Sequence, residues 1–255
     1  MNRIVKFVVL DIVRNKIVLV YTILLAALSW GVFSVEDNSA KGVLSLLNLI
    51  LLNVPLVSVV FSTIYIYNSS EFIELLLSQP IKRAKIWRSL FLGLQSSLLL
   101  AFVVGAGIPI LVFAPLKIAL MMLVTGSLLT AVFVSLAFLG SIYTRDKAKG
   151  IGMAILLWLF FALLFDGLIL FVLFQFSDYP IESAMVVMSA MSPIDISRIL
   201  ILLQMDVSAM MGYTGAIFKS FFGTDYGIAI TFLILLLWVL VPFGLSIRKF
   251  KSKDL

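Results

Sequence analysis

No cysteine and no histidine occur anywhere in the 255 residues. The first absence excludes disulfides, zinc ribbons, iron–sulfur clusters and thiol nucleophiles. The second removes the commonest general base, the haem ligand and every imidazole metal site. Charge is scarce as well: Asp, Glu, Lys and Arg make up 13% of the chain, against about 25% in a soluble domain. A chain so poor in charge does not suit a water-soluble enzyme, and 62% hydrophobic residues exclude a disordered one. Apolar length is what the chain has in abundance, with a mean hydropathy of +1.18.

Crossing the hydrocarbon core of a membrane takes about 20 mainly apolar residues per helix. Six stretches meet that length, at about 17–35, 43–67, 89–113, 118–143, 151–176 and 227–247. Alternation with a period of two is absent, which argues against a β-barrel. The expected fold class is therefore all-α, a polytopic membrane protein with six transmembrane helices. Pro55, Pro109 and Pro242 fall inside these stretches, where packed neighbours can satisfy the freed carbonyls.

Basic residues then set the sidedness. Arg3, Lys6, Arg14 and Lys16 precede the first stretch, and Lys82, Arg83, Lys85 and Arg88 lie between the second and third. Arg145, Lys147 and Lys149 lie between the fourth and fifth, and Arg248, Lys249, Lys251 and Lys253 close the chain. These connections hold 15 of the 19 basic residues, and the other side holds seven of the 13 acids. The expected arrangement is multi-pass in a bacterial inner membrane with both termini cytoplasmic. A cleaved signal peptide is not expected, because the leading stretch is long and regularly charged and no small-residue cleavage pattern follows. Arg3, Lys6 and Arg14 cluster on a helical wheel opposite Ile4, Val5, Val8 and Ile12. That pattern suits an interfacial amphipathic helix over 2–16, and an extension of the first span is the alternative.

Two regions outside the spans are long enough to act. In residues 68–88, Asn68 to Ser70 offer helix caps and Glu71 and Glu74 fall in the first turns, where the helix dipole favours anions. Leu75 to Leu77 follow and Pro80 ends the helix, expected over about 69–79. It reads equally as a surface helix folded back on the bundle or as a docking knob for a soluble partner. The second region, residues 178–226, is broken by Pro180, Pro193, Gly212, Gly215 and Gly223. It is too small for an independent domain, so it is expected to cap the bundle on the extracytoplasmic side, with a helix over 194–205 and Asp195 and Arg198 spaced to pair at i,i+3.

Candidate chemistry is thin. A phosphate loop needs two glycines before its Lys; the string Gly215-Ala-Ile-Phe-Lys219-Ser220 lacks the second, so no ATP site is expected on this chain. Met185, Met188 and Met191 form an M-x-x-M-x-x-M stripe, which suits either apolar packing or Cu(I) contact through thioethers. Asp166 is the one acid inside a span. It is read either as a proton or cation relay or as an interhelical hydrogen-bond acceptor for Ser, Thr, Asn or Tyr.

Several strings together resemble the ABC-2 (type V, ABCG-like) exporter permeases, and among these the chain is similar to the NosY-type permeases of NosDFY systems. They are Glu74-Leu-Leu-Leu-Ser-Gln-Pro80 with Lys82 and Arg83; Arg145-Asp-Lys-Ala-Lys-Gly150 leading to Leu157-Trp158 and Asp166; Ser192-Pro-Ile-Asp195-Ile-Ser-Arg198; and Leu237-Trp-Val-Leu-Val-Pro242 with Arg248 and Asp254-Leu255. The pattern departs from the family at Ser192, where Asn is expected. The resemblance implies that the 69–79 helix is a coupling helix, with Glu71, Glu74, Leu75, Leu76 and Gln79 meeting a cytoplasmic ABC ATPase dimer. It implies a second copy of the chain, surrounding lipid, and a periplasmic β-helical NosD-type protein contacted through Asp195, Arg198, Met185, Met188 and Met191. The chain itself would bind no cofactor and no nucleic acid and catalyse nothing, ATP entering through the partner. The implied role is to carry ATP-driven motion across the membrane for copper-site maturation of nitrous oxide reductase. Export of another substrate, or secondary transport through Asp166, are the alternatives.

Overall fold

The computed structural model describes residues 2–36, 38–176, 182–205 and 224–252. Asp37, Asp178, Asp206, Met210, Met211, Lys253, Asp254, Leu255 and the 215–220 string lie outside the described residues. Every described element is helical. They are α1 (Asn2–Val13), α2 (Lys16–Val35), α3 (Ser39–Asn68), α4 (Ser70–Leu77), α5 (Arg83–Phe102), α6 (Ile108–Phe113), α7 (Leu116–Tyr143), α8 (Lys147–Leu159), α9 (Phe165–Gln175), α10 (Glu182–Ala190), α11 (Pro193–Gln204) and α12 (Asp225–Ser252). Wide π turns at Val103–Gly107 and Phe160–Leu164 join α5 to α6 and α8 to α9. Among the described residues, six helices are long and apolar enough to span a membrane: Lys16–Val35, Ser39–Asn68, Arg83–Phe113, Leu116–Tyr143, Lys147–Gln175 and Tyr226–Ser252.

The breaks follow local chemistry. Asn15 leaves helical geometry and its Oδ1 accepts the Ile17 N–H at 2.9 Å, so α1 ends and α2 starts afresh instead of running on as one span. α1 then packs across α5, with Val8 and Ile12 fully buried. Gly93 permits that approach, because a side chain there would collide with Val8. Asp146 caps α8 in the same way, its Oδ1 accepting from Lys149 N–H at 2.8 Å.

α7 is the most buried span and the Lys147–Gln175 pair the least. Around α7 the interhelical contacts are aromatic and hydroxylic. The Trp87 indole donates to Ser246 Oγ at 2.7 Å, and Ser246 donates to the Phe138 carbonyl at 3.1 Å. Phe250 stacks on Trp87 at 4.2 Å and Phe243 on Phe91 at 3.9 Å. Pro242 has no N–H for the Trp238 carbonyl one turn earlier, and Ser135 of α7 donates to that oxygen at 3.3 Å.

Residues 182–204 depart from the expected cap. α10 and α11 meet at a 111° bend. The Ala190 carbonyl at that bend accepts from the Trp238 indole at 3.3 Å, halfway along α12, so the pair turns inside the bundle and not over its end. The reason lies in α11 itself: Ile194, Ile196, Ile199, Leu200 and Ile201 leave it apolar nearly all round, and such a helix is stable only when enclosed.

Candidate functional site

Two arrangements stand out, one at each half of the bundle. At the basic end, α4 shows two faces. Ile73 and Leu76 are buried in the main core, while Glu71, Glu74, Leu75, Ser78 and Gln79 are exposed, Leu75 at 65%. Leu76 therefore anchors the helix and does not belong to its outward surface. Glu71, Glu74 and Leu75, at i, i+3 and i+4, share one stripe of α4, and Ser78 and Gln79 follow just beyond its end. Phe72 stacks on Phe7 of α1 at 5.1 Å, so the amphipathic first helix braces α4 from the side.

A second connection locks beside it. Tyr67, at the end of α3, hydrogen-bonds Thr144 through both the Thr144 carbonyl and its hydroxyl. Lys147 donates to Asn68 Oδ1 at 2.7 Å. A Cβ at Gly150 would collide with the Tyr67 hydroxyl and the ring edge beside it, so this latch needs glycine there. Between α4 and the latch lies a cleft of about 330 Å³, with Glu74 and Arg145 among its walls alongside Tyr67, Ile73, Trp87 and Phe250. Tyr67 and Thr144 carry no motif, and spacing offers no signal for the contact that Gly150 permits.

The second arrangement lies deeper. The Arg198 guanidinium donates to Asp166 Oδ2 at 2.8 Å and to Asp195 Oδ1 at 3.5 Å. Asp166 thus pairs with a cation, and not with the Ser, Thr, Asn or Tyr expected of it, because the re-entrant α11 carries Arg198 back to its depth. Asp195 is buried, and its N–H donates to Ser192 Oγ at 3.2 Å. Ser192 is thus the N-cap of α11, a role Ser and Asn perform equally well. Asp195 Oδ2 and Arg198 Nε are buried without a hydrogen-bond partner. Asp166 of α9 and Asp195 of α11 share the one guanidinium, so Arg198 ties the two helices together.

The methionines do not act as a stripe. Met185 is 1% exposed, Met188 is half-buried and Met191 is 58% exposed. Met185 and Asp195 present no free surface for a partner in this fold, and Met191 is the open side chain of the three.

Six spanning helices, an amphipathic helix at the N-terminus and a two-faced helix after the second span define the membrane domain of a transporter. The chain belongs to the ABC-2 family of transporter proteins, whose family model matches residues 49–255. It is 30% identical, over a 223-residue alignment covering 79% of this chain and 81% of the relative, to the "Probable ABC transporter permease protein NosY" of Pseudomonas aeruginosa strain PAO1. It is an ABC-2 permease similar to NosY.

Proposed function

We propose that this permease receives ATP-driven motion through the outward face of α4 and transmits it across a bacterial inner membrane, in a complex that matures the copper site of nitrous oxide reductase. The observation that carries the reading is the two-sidedness of α4: Glu71, Glu74, Leu75 and Gln79 face outward while Ile73 and Leu76 fix the helix to the core. A rigidly seated helix with an acidic, apolar outer stripe is what a separate ATPase subunit needs in order to push on the bundle. The concentration of basic residues at the same end supports a cytoplasmic placement of both termini. The broad apolar faces of α2, α8 and α9, with Val20, Ile23, Leu156 and Phe171 all exposed, support a second copy of the chain bounded by lipid. The similarity to NosY supports a NosD-type partner on the far side and a part in copper-site maturation, in which this chain need not conduct copper itself. ATP hydrolysis then belongs to the partner, and this chain performs no catalysis.

Charge reversal tests the reading. Glu71→Arg with Glu74→Arg should lower recovery of the ATPase in detergent pull-downs at least tenfold, because it opposes both the interface charge and the α4 dipole. Insertion and assembly of the permease should persist. Undiminished recovery and ATP turnover would sink the assignment.

A further inference from the structure

At the start of α5, a pocket of about 420 Å³ is lined by Lys82, Arg83, Ala84, Lys85, Arg88 and Lys251, five basic side chains and, among the described residues, no carboxylate. Four of the cations come from one stretch of chain, and Lys251 comes from the last turn of α12. The stack of Phe250 on Trp87 and the Trp87–Ser246 hydrogen bond hold that last turn against α5. No ion pair to a described acid is formed by Lys82, Lys85, Arg88 or Lys251. The N-cap of α5, Lys82, makes no side-chain capping bond, so the helix N-terminus adds its own positive potential.

We infer that this pocket binds the phosphate headgroup of an anionic membrane lipid. Arginine and lysine side chains converging at a helix start suit phosphate oxygens, and the 82, 85, 88 spacing runs over about 9 Å of helix, enough for a headgroup with two phosphates. A lipid fits better than a soluble anion because both helices continue from the cations into open apolar surface: Leu92 and Leu100 on α5, Leu240 and Leu245 on α12. Arg88 and Leu92 share one stripe at i,i+4, so a headgroup held by Arg88 has its acyl chain laid beside Leu92. Basic pockets between spanning helices are a recurring headgroup site. The pocket is separate from the outer stripe of α4 and does not depend on the coupling reading.

The test is lipid binding to the purified full-length chain by native mass spectrometry, with cardiolipin, phosphatidylglycerol and phosphatidylcholine as probes. Wild type should retain cardiolipin roughly tenfold or more over phosphatidylcholine, with retention falling as salt rises. Lys82→Gln/Lys85→Gln/Arg88→Gln should abolish the preference, Lys251→Gln should weaken it, and Lys117→Gln at the opposite end should leave it unchanged. Equal retention of cardiolipin and phosphatidylcholine by wild type would overturn the proposal without any variant. So would displacement of cardiolipin by millimolar inorganic phosphate, which would mark a free-anion site. Loss of ATPase recovery in the triple variant with lipid retention intact would overturn it in favour of an acidic protein surface.

Discussion

Arg198 holds one positive charge between two carboxylates, Asp166 at 2.8 Å and Asp195 at 3.5 Å. Asp166 and Arg198 are each about 30% exposed, so their pairing is stronger than a surface bridge and weaker than one sealed in a dry core. Asp166→Leu should therefore destabilise the protein by about 1–3 kcal/mol, because it leaves Arg198 only the longer contact to Asp195. Asp166→Asn, which still accepts a hydrogen bond, should cost less. Removing the whole cluster, with Arg198→Leu and Asp195→Leu added to Asp166→Leu, should recover part of the loss. Thermal unfolding in detergent checks the series, and a triple variant no more stable than Asp166→Leu would show that the cluster is not the cause. If Asp166→Asn instead silences function at unchanged stability, the carboxylate charge itself is required. The methionines separate just as cleanly by burial. Met185→Leu is a near-isosteric core swap and should cost less than about 1.5 kcal/mol, whereas Met185→Ser should cost about 2–5 kcal/mol. Met191, open to its surroundings, should tolerate Leu and Ser alike in stability. Failure of copper-dependent maturation with Met191→Leu in an intact complex would assign its sulfur a chemical role.

Among the elements, the π turn at Phe160–Leu164 matters beyond its five residues. A π turn contains one residue more than an α-helical turn, and each residue advances a helix by about 100°. Asp166 lies on the second residue of α9, immediately after that turn, so its direction toward α11 depends on the helical register the turn hands on. Inserting one alanine between Phe165 and Asp166, in regular helix where no wide turn absorbs it, should rotate Asp166 by about 100° away from Arg198 and lower the unfolding temperature about as much as Asp166→Leu does. Adding Asp166→Leu should then cost little more, because both changes break the same pair. Full additivity would show that the helical register after the π turn does not set the pairing. α4 illustrates a different dependence. Eight residues are too few for a stable isolated helix, and its stability comes from Ile73 and Leu76 in the core and from Phe7 stacked on Phe72.

In the whole molecule, α12 touches both functional regions: Trp238 meets the bend between α10 and α11, and Phe250 meets Trp87 beside the basic pocket. α7 lies at the centre and satisfies the carbonyl that Pro242 frees in α12. Much of this architecture was legible in the chain itself. Long apolar runs too poor in charge for water require helices that satisfy their own backbone, and that requirement is local, so the helical fold class and six spans follow from composition and length. The caps at Asn15, Asp146 and Ser192 are equally local. What faces what is a different matter. In a chain this apolar, lipid-facing and core-facing positions have the same composition, because lipid tails are as hydrophobic as leucine. Periodicity therefore could not distinguish the buried Leu76 and Met185 from the exposed Leu75 and Met191. Nor could spacing pair Asp166 with Arg198, 32 positions apart, since that contact exists only because α11 turns back into the bundle. Local backbone demands fixed the helices; the burial of α11, a property of the packed bundle, decided which charges meet.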